Sequence, residues 1–564
     1  MNAISLKQLS ADNPDALYVL TIGGCGEFGM NMTAYATKGY CILVDCGLVF
    51  SEPFEIGIDA HIPSPEGIES VLGGPPDAFL ITHGHEDHLG ALPFFLPRWN
   101  IPVYLGPWAN ELLKDKLSQR GDSYEYAIHL VHAGTTLNLG PSMKVEWIHV
   151  PHSIPHCCSL VISSDQQNIF HTGDFKLTGF GDIEPDLDIS YLKHLRQKKP
   201  ITALISDSTN SLSAGVCPSE RTTFDPIRQL FSLAEGVTFL TTFSSNIWRI
   251  KTVLMAAQDQ GKKVLVFGAG MRKALELGTR LNLLKGECSV LVDEQASQKC
   301  ERKNLVVLIS GCQGEYRSGM FRLVHDEISF LRLKEGDQVI FSSRTIPGNE
   351  KSIAKIMSLC HQRGAAVFSS KEKPGIHVSG HAHSEDLRTL WNALEPKFHV
   401  PVHGTFTQLA GNQALVDESR VVPVANGTLI AFQKDSWKQV AEFDIERLYV
   451  DSWSRQLMNF ETMRARHKIG DSGLAIVSGF IAKDRHELDI EFIGMPFQNE
   501  LDQEKSRELL LKRMISLYEQ TRSDANFSKS QLNEQARQLV RKFLTDRYVK
   551  KPVVFSKISL VGDV

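Results

Sequence analysis

The stretch that most constrains this chain is Thr82-His83-Gly84-His85-Glu86-Asp87-His88-Leu89-Gly90, which directly follows the apolar run Ala78-Phe79-Leu80-Ile81. The run is short and bounded upstream by Gly73-Gly74-Pro75-Pro76, so it reads as a buried strand whose carboxyl end releases the histidines into a loop. Three imidazoles and an aspartate then fall within six positions. Imidazole and carboxylate are the ligands that borderline divalent ions such as zinc or manganese prefer, with open coordination positions left for water. A polar turn that merely happens to be rich in histidine is the competing reading. It leaves the crowding of ligand-type side chains into one loop unexplained.

The pattern His-x-His-x-Asp-His after an apolar strand resembles the signature of the metallo-β-lactamase superfamily, with Asp87 marking its hydrolase form. That resemblance implies further ligands spaced along the chain: His152 in Val150-Pro151-His152-Ser153-Ile154-Pro155, Asp174 in Thr172-Gly173-Asp174-Phe175, and His403 in Val400-Pro401-Val402-His403-Gly404. By resemblance His83, His85 and His152 hold one ion, Asp87, His88 and His403 hold a second, and Asp174 bridges them. Two divalent ions per subunit are implied, zinc first and manganese second.

Upstream, Leu17-Tyr18-Val19-Leu20-Thr21-Ile22 reads as a strand followed by G-x-G-x-x-G at Gly24, Gly26 and Gly29. A dinucleotide fingerprint has to open a helix. Here two β-type runs follow, Met32 to Ala36 and Cys41 to Asp45, hinged at Lys38-Gly39, so the glycines read as tight turns near the metal mouth. Each implied ligand comes at the end of a β run, the way a sandwich edge gathers a site from distant sequence.

More than two hundred residues separate Asp174 from His403, so the site closes only if that segment folds as an insertion. It alternates β runs (Val237 to Thr242, Lys263 to Phe267, Leu305 to Ser310, Gln338 to Ser342) with helical stretches (Trp248 to Gln260, Glu350 to Gln362). That alternation predicts a small α/β domain with a parallel sheet, whose ligand contacts lie at the carboxyl ends of its strands. The turns there, Phe243-Ser244-Ser245-Asn246, Gly268-Ala269-Gly270-Met271, Ser310 to Glu315 and Ser342 to Glu350, resemble the β-CASP insertion of nucleic-acid-processing enzymes, and most closely that of the ribonuclease J family.

The resemblance covers nearly the whole chain. It implies an α/β fold: a metallo-β-lactamase αββα sandwich in residues 1–208 and 373–448, a β-CASP insertion in 209–372, and a linker and small α+β C-terminal domain in 449–564. The last region reads as ββααβ, with two strands near Gly470 to Met495, helices Glu504 to Tyr518 and Leu532 to Arg547, and a closing strand Pro552 to Leu560. The implied activity is hydrolysis of single-stranded RNA, 5′→3′ with endonuclease action also open, in RNA maturation or decay. Two ions a few ångströms apart hold a water, lower its pKa toward about 7 and neutralise charge growing on the phosphate. Asp207 and His381 match the family's acidic and histidine motifs and share the proton transfer and its orientation. The neighbourhood of Ser245, Asn246, His377, Val378, Ser379, Gly380 and His381 is implied to hold the 5′ end of the RNA.

The sequence departs from the family pattern at His156, where aspartate is usual, at Ala269-Gly270 for arginine-serine, at Cys312 for serine, at Thr405 for glutamate, and at Trp248 for histidine or tyrosine. None of these is an implied metal ligand. His156 and His383 are candidate extra ligands or phosphate contacts. Two rivals stand beside the ribonuclease reading: an enzyme of the same fold acting on DNA, an ester or a thioester, and a non-catalytic RNA-binding scaffold subunit. Paralogues of the second kind lose ligands, and here none is missing. A net charge of −5 confines any nucleic-acid contact to a local cleft. Ten cysteines without C-x-x-C pairs or a secretory leader read as reduced thiols in a cytoplasm, and no apolar run approaches the roughly 18 residues of a membrane span. A homodimer or homotetramer is the implied assembly.

Overall fold

The computed structural model describes residues 5–52, 55–346, 348–482, 485–521, 528–549 and 551–561. The chain forms two compact units, one of Met1–Phe50 and His61–Glu446, the other of Ser51–Ala60 and Arg447–Val564.

In the first unit the hairpins follow from local sequence. Met32–Thr37 turns at Lys38 and Gly39, both at positive φ, into Tyr40–Val44. Two residues with φ > 0 give the turn whose twist matches that of paired strands. Gly24, Gly26 and Gly29 sit in the connection between the antiparallel strands Leu17–Gly23 and Met32–Thr37, all at positive φ, and no helix begins there. The Gly26 N–H donates to the Gly404 carbonyl (2.9 Å) and the Gly404 N–H to that of Gly24 (3.2 Å), so the turn lies against the loop that carries His403.

These strands belong to an eight-stranded sheet, in the order Ser436–Glu442, Thr428–Gln433, Leu17–Gly23, Met32–Thr37, Tyr40–Val44, Ala78–Leu80, Val103–Leu105 and Ile128–Leu130. A six-stranded sheet faces it: Phe398–Val402, Ala203–Asp207, Asn168–His171, Cys158–Ser163, Met143–His149 and Thr136–Leu139. Val19, Tyr35, Ile42 and Leu80 of the one pack with Val145, Leu160, Ile205 and Val400 of the other. Each such aliphatic side chain contributes about 1.5–3 kcal/mol on burial. The core therefore fixes the two sheets, and the strand ends are left to carry chemistry.

Between Asp207 and Phe398 the insertion forms an all-parallel sheet in the order Leu291–Val292, Lys263–Phe267, Leu305–Ile309, Thr238–Thr241, Gln338–Phe341 and Ala366–Ser369. Helices Ile247–Asp259, Ala269–Arg280 and Glu350–Gln362 accompany it. The α/β alternation expected from sequence is the one found. The two edge strands were not among the expected runs, and Leu291–Val292 is too short to show a period.

In the second unit Leu474–Ala482 is the central strand, antiparallel to His486–Ile493 and parallel to Val553–Val561. Helices Glu500–Thr521 and Lys529–Tyr548 supply the crossover that a parallel closing strand needs. This is the expected ββααβ order, with longer helices. Among the described residues no helix is long and apolar enough to cross a membrane, and all ten cysteines are free, most of them buried.

Candidate metal centre

Every proposed ligand leaves the end of a strand. His83 and His85 follow Ala78–Leu80, Asp87 and His88 sit on the short helix Glu86–Leu89, His152 follows Met143–His149, Asp174 follows Asn168–His171, and His403 follows Phe398–Val402. The close approach of the Asp45-Cys46-Gly47 turn holds the metal loop in place. A Cβ at Gly47 would lie 1.7 Å from the Asp87 carbonyl oxygen, so only glycine fits there.

The seven side chains converge into two sets sharing Asp174. His83, His85 and His152 with Asp174 form one, and Asp87, His88 and His403 with Asp174 the other. In the first, His83 Nε2 and His152 Nε2 each lie 3.1 Å from His85 Nδ1, and 3.5 and 3.7 Å from Asp174 Oδ2. In the second, His88 Nε2 lies 3.1 Å from Asp174 Oδ1 and 3.6 Å from Asp87 Oδ2, which is 3.1 Å from His403 Nε2. Four ligands about 2.1 Å from a tetrahedral ion stand roughly 3.4 Å from one another, so these separations suit that geometry.

The surroundings fix which ring nitrogens face inward. His88 Nδ1–H donates to Asp45 Oδ2 (2.7 Å), His152 Nδ1–H to the Gly380 carbonyl (2.7 Å) and His403 Nδ1–H to Asp207 Oδ1 (3.2 Å). Each Nε2 is thereby turned inward, toward the carboxylates or imidazole of its own set. In the first set neutral ring nitrogens and a carboxylate oxygen face one another at this range, which a cation between them satisfies. Asp174 Oδ1, fully buried, finds no hydrogen-bond donor among the described residues. The donor set therefore fits divalent ions.

Electrostatics divides the two sets. Burial holds His83 and His152 well below the usual imidazole range and lowers His85, leaving three neutral rings. Burial also opposes the charge on His88 and His403, yet the surrounding carboxylates outweigh it. Asp174, Asp87 and Asp45 hold His88 well above its ordinary value, and Asp174, Asp207 and Asp87 push His403 up to about 10. Asp174 is held well below the carboxylate range, against its burial, by His403, His88, His381 and His83. An ion held by the second set would take the place of those protons.

Asp207 and His381 abut this cluster. Asp207 is buried, ends the strand Ala203–Asp207, and accepts from His381 Nδ1–H (2.8 Å), His403 Nδ1–H (3.2 Å) and the Thr209 N–H (2.8 Å). The His381 ring keeps one-fifth of its side chain exposed. Asp207 thus holds one ring in each of two sets, since His403 and His381 also share a third group with Asp174.

Of the remaining predicted residues, Ser379 Oγ accepts from Asn210 Nδ2–H (2.7 Å), and Gly380 passes so close to His152 that a Cβ would lie 2.8 Å from its ring. His377 and the buried Val378 lead into this loop, and Ser245 is half-buried at the carboxyl end of Thr238–Thr241. The Asn246 side chain caps helix Ile247–Asp259. His383 starts helix Ser384–Leu394 in a capping box with Asp386. Neither His383 nor His156 joins the ligand sets.

Sequence reasoning missed Asp45, Asn210, Arg344 and Arg249. Asp45 orients His88 and accepts from the Thr82 N–H (2.8 Å), from a backbone at φ 63°. The exposed Arg344 donates to Asn210 Oδ1 (2.7 Å) and so joins the inserted domain to Ser379. Arg249, 0% exposed, pairs with Glu220 and donates to the carbonyls of Ser342 (2.8 Å) and Ile376 (3.1 Å), tying the insertion to the segment that enters the His377 loop. A charged residue directly after an apolar run was the available signal for Asp45.

The sandwich and its ligand cluster define a metal-dependent hydrolase of the metallo-β-lactamase fold. Comparison with known families agrees. Residues 25–205 match the metallo-beta-lactamase superfamily, 235–359 the beta-CASP domain of ribonuclease J, and 374–424 the Zn-dependent metallo-hydrolase RNA specificity domain. Among similar proteins, a ribonuclease J of Sinorhizobium meliloti is 32% identical over 97% of this chain and 98% of its own length. Ribonuclease J 1 of Streptococcus pyogenes is 29% identical over 99% of each. A solved protein of unknown function from Enterococcus faecalis shares the fold, with a TM-score of 0.52 at 16% identity over 74% of this chain and 100% of that one. The chain belongs to the ribonuclease J family.

Proposed function

We propose that the chain hydrolyses phosphodiester bonds of single-stranded RNA in the cytoplasm, 5′→3′ from the 5′ end and internally where RNA threads past the 5′ pocket. The supporting observation is that the ligand cluster and the Asp207–His381 pair meet at one carboxylate, Asp174. His83, His85, His152 and Asp174 would hold one ion, and Asp87, His88, His403 and Asp174 the other, zinc by preference and manganese next. Bound there, the ions supply Lewis acidity toward a phosphate oxygen and an acidified water.

The chain's own residues do the rest. Asp207 is buried and accepts on both oxygens, so its role is to orient His381 and His403. His381 keeps an open edge and gives its Nε2 proton to the leaving O3′. Ser379 and Arg344, both held by Asn210, grip phosphate, with Ser245 and His377 beside them. Asn246, Val378 and Gly380 serve by capping, packing and orienting His152. Proposed domain bounds are 1–208, 209–372, 373–448 and 449–564, and the matched segments 25–205, 235–359 and 374–424 fall inside the first three. Assembly as a homodimer or homotetramer through the C-terminal domain predicts a smaller species in sedimentation once residues 470–564 are deleted.

The decisive test is a time course on one RNA with a 5′-monophosphate or a 5′-triphosphate, labelled at either end, with Zn²⁺ or Mn²⁺ and a DNA counterpart. Immediate release of labelled 5′-mononucleotide from the monophosphate RNA, absent in Asp87→Ala, is the expected outcome. Intact RNA with metal-loaded protein would overturn the reading and favour DNA or an ester.

A further inference from the structure

Lys176 lies two residues beyond Asp174 and is 1% exposed. Its backbone sits between two loops of the site. The Lys176 N–H donates to the Pro151 carbonyl (2.9 Å), just before His152, and the Ala382 N–H donates to the Phe175 carbonyl (2.7 Å), just after His381. The side chain reaches the turn Ser379-Gly380-His381, where Nζ donates to the carbonyl of Ser379, and it also donates to that of Pro218, both at 3.4 Å. These are long bonds for a group with three donors. No carboxylate pairs with it among the described residues: Glu184 and Asp386 feel its charge, yet neither forms an ion pair with it. A buried charge is costly unless something pairs with it.

The turn that Lys176 holds has spent its acceptors. The Ser379 carbonyl also accepts from Cys217 Sγ–H (3.3 Å), the Gly380 carbonyl from His152 Nδ1–H (2.7 Å) and the His381 carbonyl from Asn210 Nδ2–H (3.3 Å). Ser379 Oγ accepts from Asn210 Nδ2–H (2.7 Å) and from the His381 N–H (3.2 Å), which occupies both lone pairs and leaves its own O–H to donate. The Gly380 N–H has no partner among the described residues. Ser379 and Gly380 are both half-buried. Free donors, no free acceptor and an unpaired cation nearby are the electrostatics of an anion seat.

We propose that Lys176 is a positioning residue that sets end-group specificity. It holds the Ser379 carbonyl and places a positive charge beside the turn, so that a terminal phosphate, with its second negative charge, is favoured there over an internal phosphodiester. The ammonium acts through the turn and across the low dielectric around it, without touching the phosphate. The phosphate in return supplies the counter-charge that no carboxylate of the described residues provides. The inference rests on the reading of the Ser379 turn as the site of the 5′ end, and names the residue that gives that site its preference.

The test uses the full-length, metal-loaded protein and two hydrolysis-resistant phosphorothioate dinucleotides, one with a 5′-phosphate and one with a 5′-hydroxyl, titrated by calorimetry. The unaltered chain is expected to bind the phosphorylated probe more tightly. In Lys176→Met that preference should shrink roughly 10-fold, with affinity for the hydroxyl probe and metal content close to those of the unaltered chain. Exchanging a buried charge for an apolar side chain of similar volume is often neutral or stabilising, so this variant is expected to fold. Lys176→Gln keeps a donor, loses the charge and carries the same test if the first variant unfolds. In turnover, KM should rise for 5′-monophosphorylated RNA and hold for 5′-hydroxyl RNA. Full preference in a folded variant, or an equal loss with both probes, would overturn the role of Lys176 and leave the 5′-end site standing. Equal binding of both probes by the unaltered chain would overturn the 5′-end reading, and this proposal with it.

Discussion

In the unit that holds the ligand cluster, Asp45, His83, His88, His152, Asp174, Asp207 and His403 are all 5% exposed or less, packed against one another. In the C-terminal unit the buried side chains are mainly apolar, among them Ala475, Val477, Leu510, Val540 and Leu544, while ion pairs such as Arg537–Glu534 stand at the surface. The difference is energetic. Buried charge is tolerated only when its neighbours or a bound ion compensate it, whereas apolar burial stabilises without any partner chemistry. Both units are held by apolar packing, and the first alone adds a buried charged cluster that asks for compensation.

The comparison breaks most visibly at Asp174, the carboxylate both ligand sets share. Asp174→Ala should strip metal from the protein by elemental analysis and take RNA hydrolysis below detection; full metal content with activity retained would refute the shared role. Asp207→Asn keeps a similar shape and removes a charge, so turnover should fall about 10²- to 10⁴-fold through His381, with metal affinity lowered roughly 10- to 100-fold through His403. Turnover near wild type would make Asp207 a mere packing residue. A matched pair sharpens the contrast further. Leu544→Ala, at a 0% exposed site, should destabilise the C-terminal unit by about 2–5 kcal/mol without altering metal content. Asp45→Asn should do the converse, lowering metal affinity roughly 10- to 100-fold through His88 while the C-terminal unit melts as before.

The residues that the structure brings into one cluster were legible in the sequence because each follows an apolar run, and strand ends are where a sandwich releases functional loops. The insertion was legible because His403 lies so far from Asp174 that the chain between them must fold by itself. The way Asp207 pairs with His381 was not. It depends on a contact between residues 174 apart in sequence, and on Asp207 also holding His403. Arg344 and Asn210 stayed hidden for the same reason, since Arg344 reaches Asn210, and Asn210 reaches Ser379, only once the chain has folded. His156 and His383 show the reverse: ligand-type residues near the right motif, placed by the fold at a separate cavity and at a helix cap.

Backbone strain gives the finest form of the comparison. Asp45 and His403 hold positive φ at 63° and 56°, and both side chains serve the ligand cluster, so the strain there comes with an irreplaceable group. In the C-terminal unit Val549 takes φ 58° as the C-cap of helix Lys529–Tyr548, a β-branched residue in the left-handed region, 89% exposed. Among the described residues its side chain stands largely in the open. The left-handed conformation costs an ordinary residue about 1–2 kcal/mol that glycine escapes, while glycine loses more entropy on folding. Val549→Gly should therefore raise the melting temperature of the C-terminal unit slightly and leave metal content and hydrolysis untouched. A loss of stability on that substitution would mean that the valine side chain makes a contact in solution, such as one with a second copy of the chain. The same substitution at His403 should remove the strain and the ligand together, so metal is lost there even where the backbone relaxes.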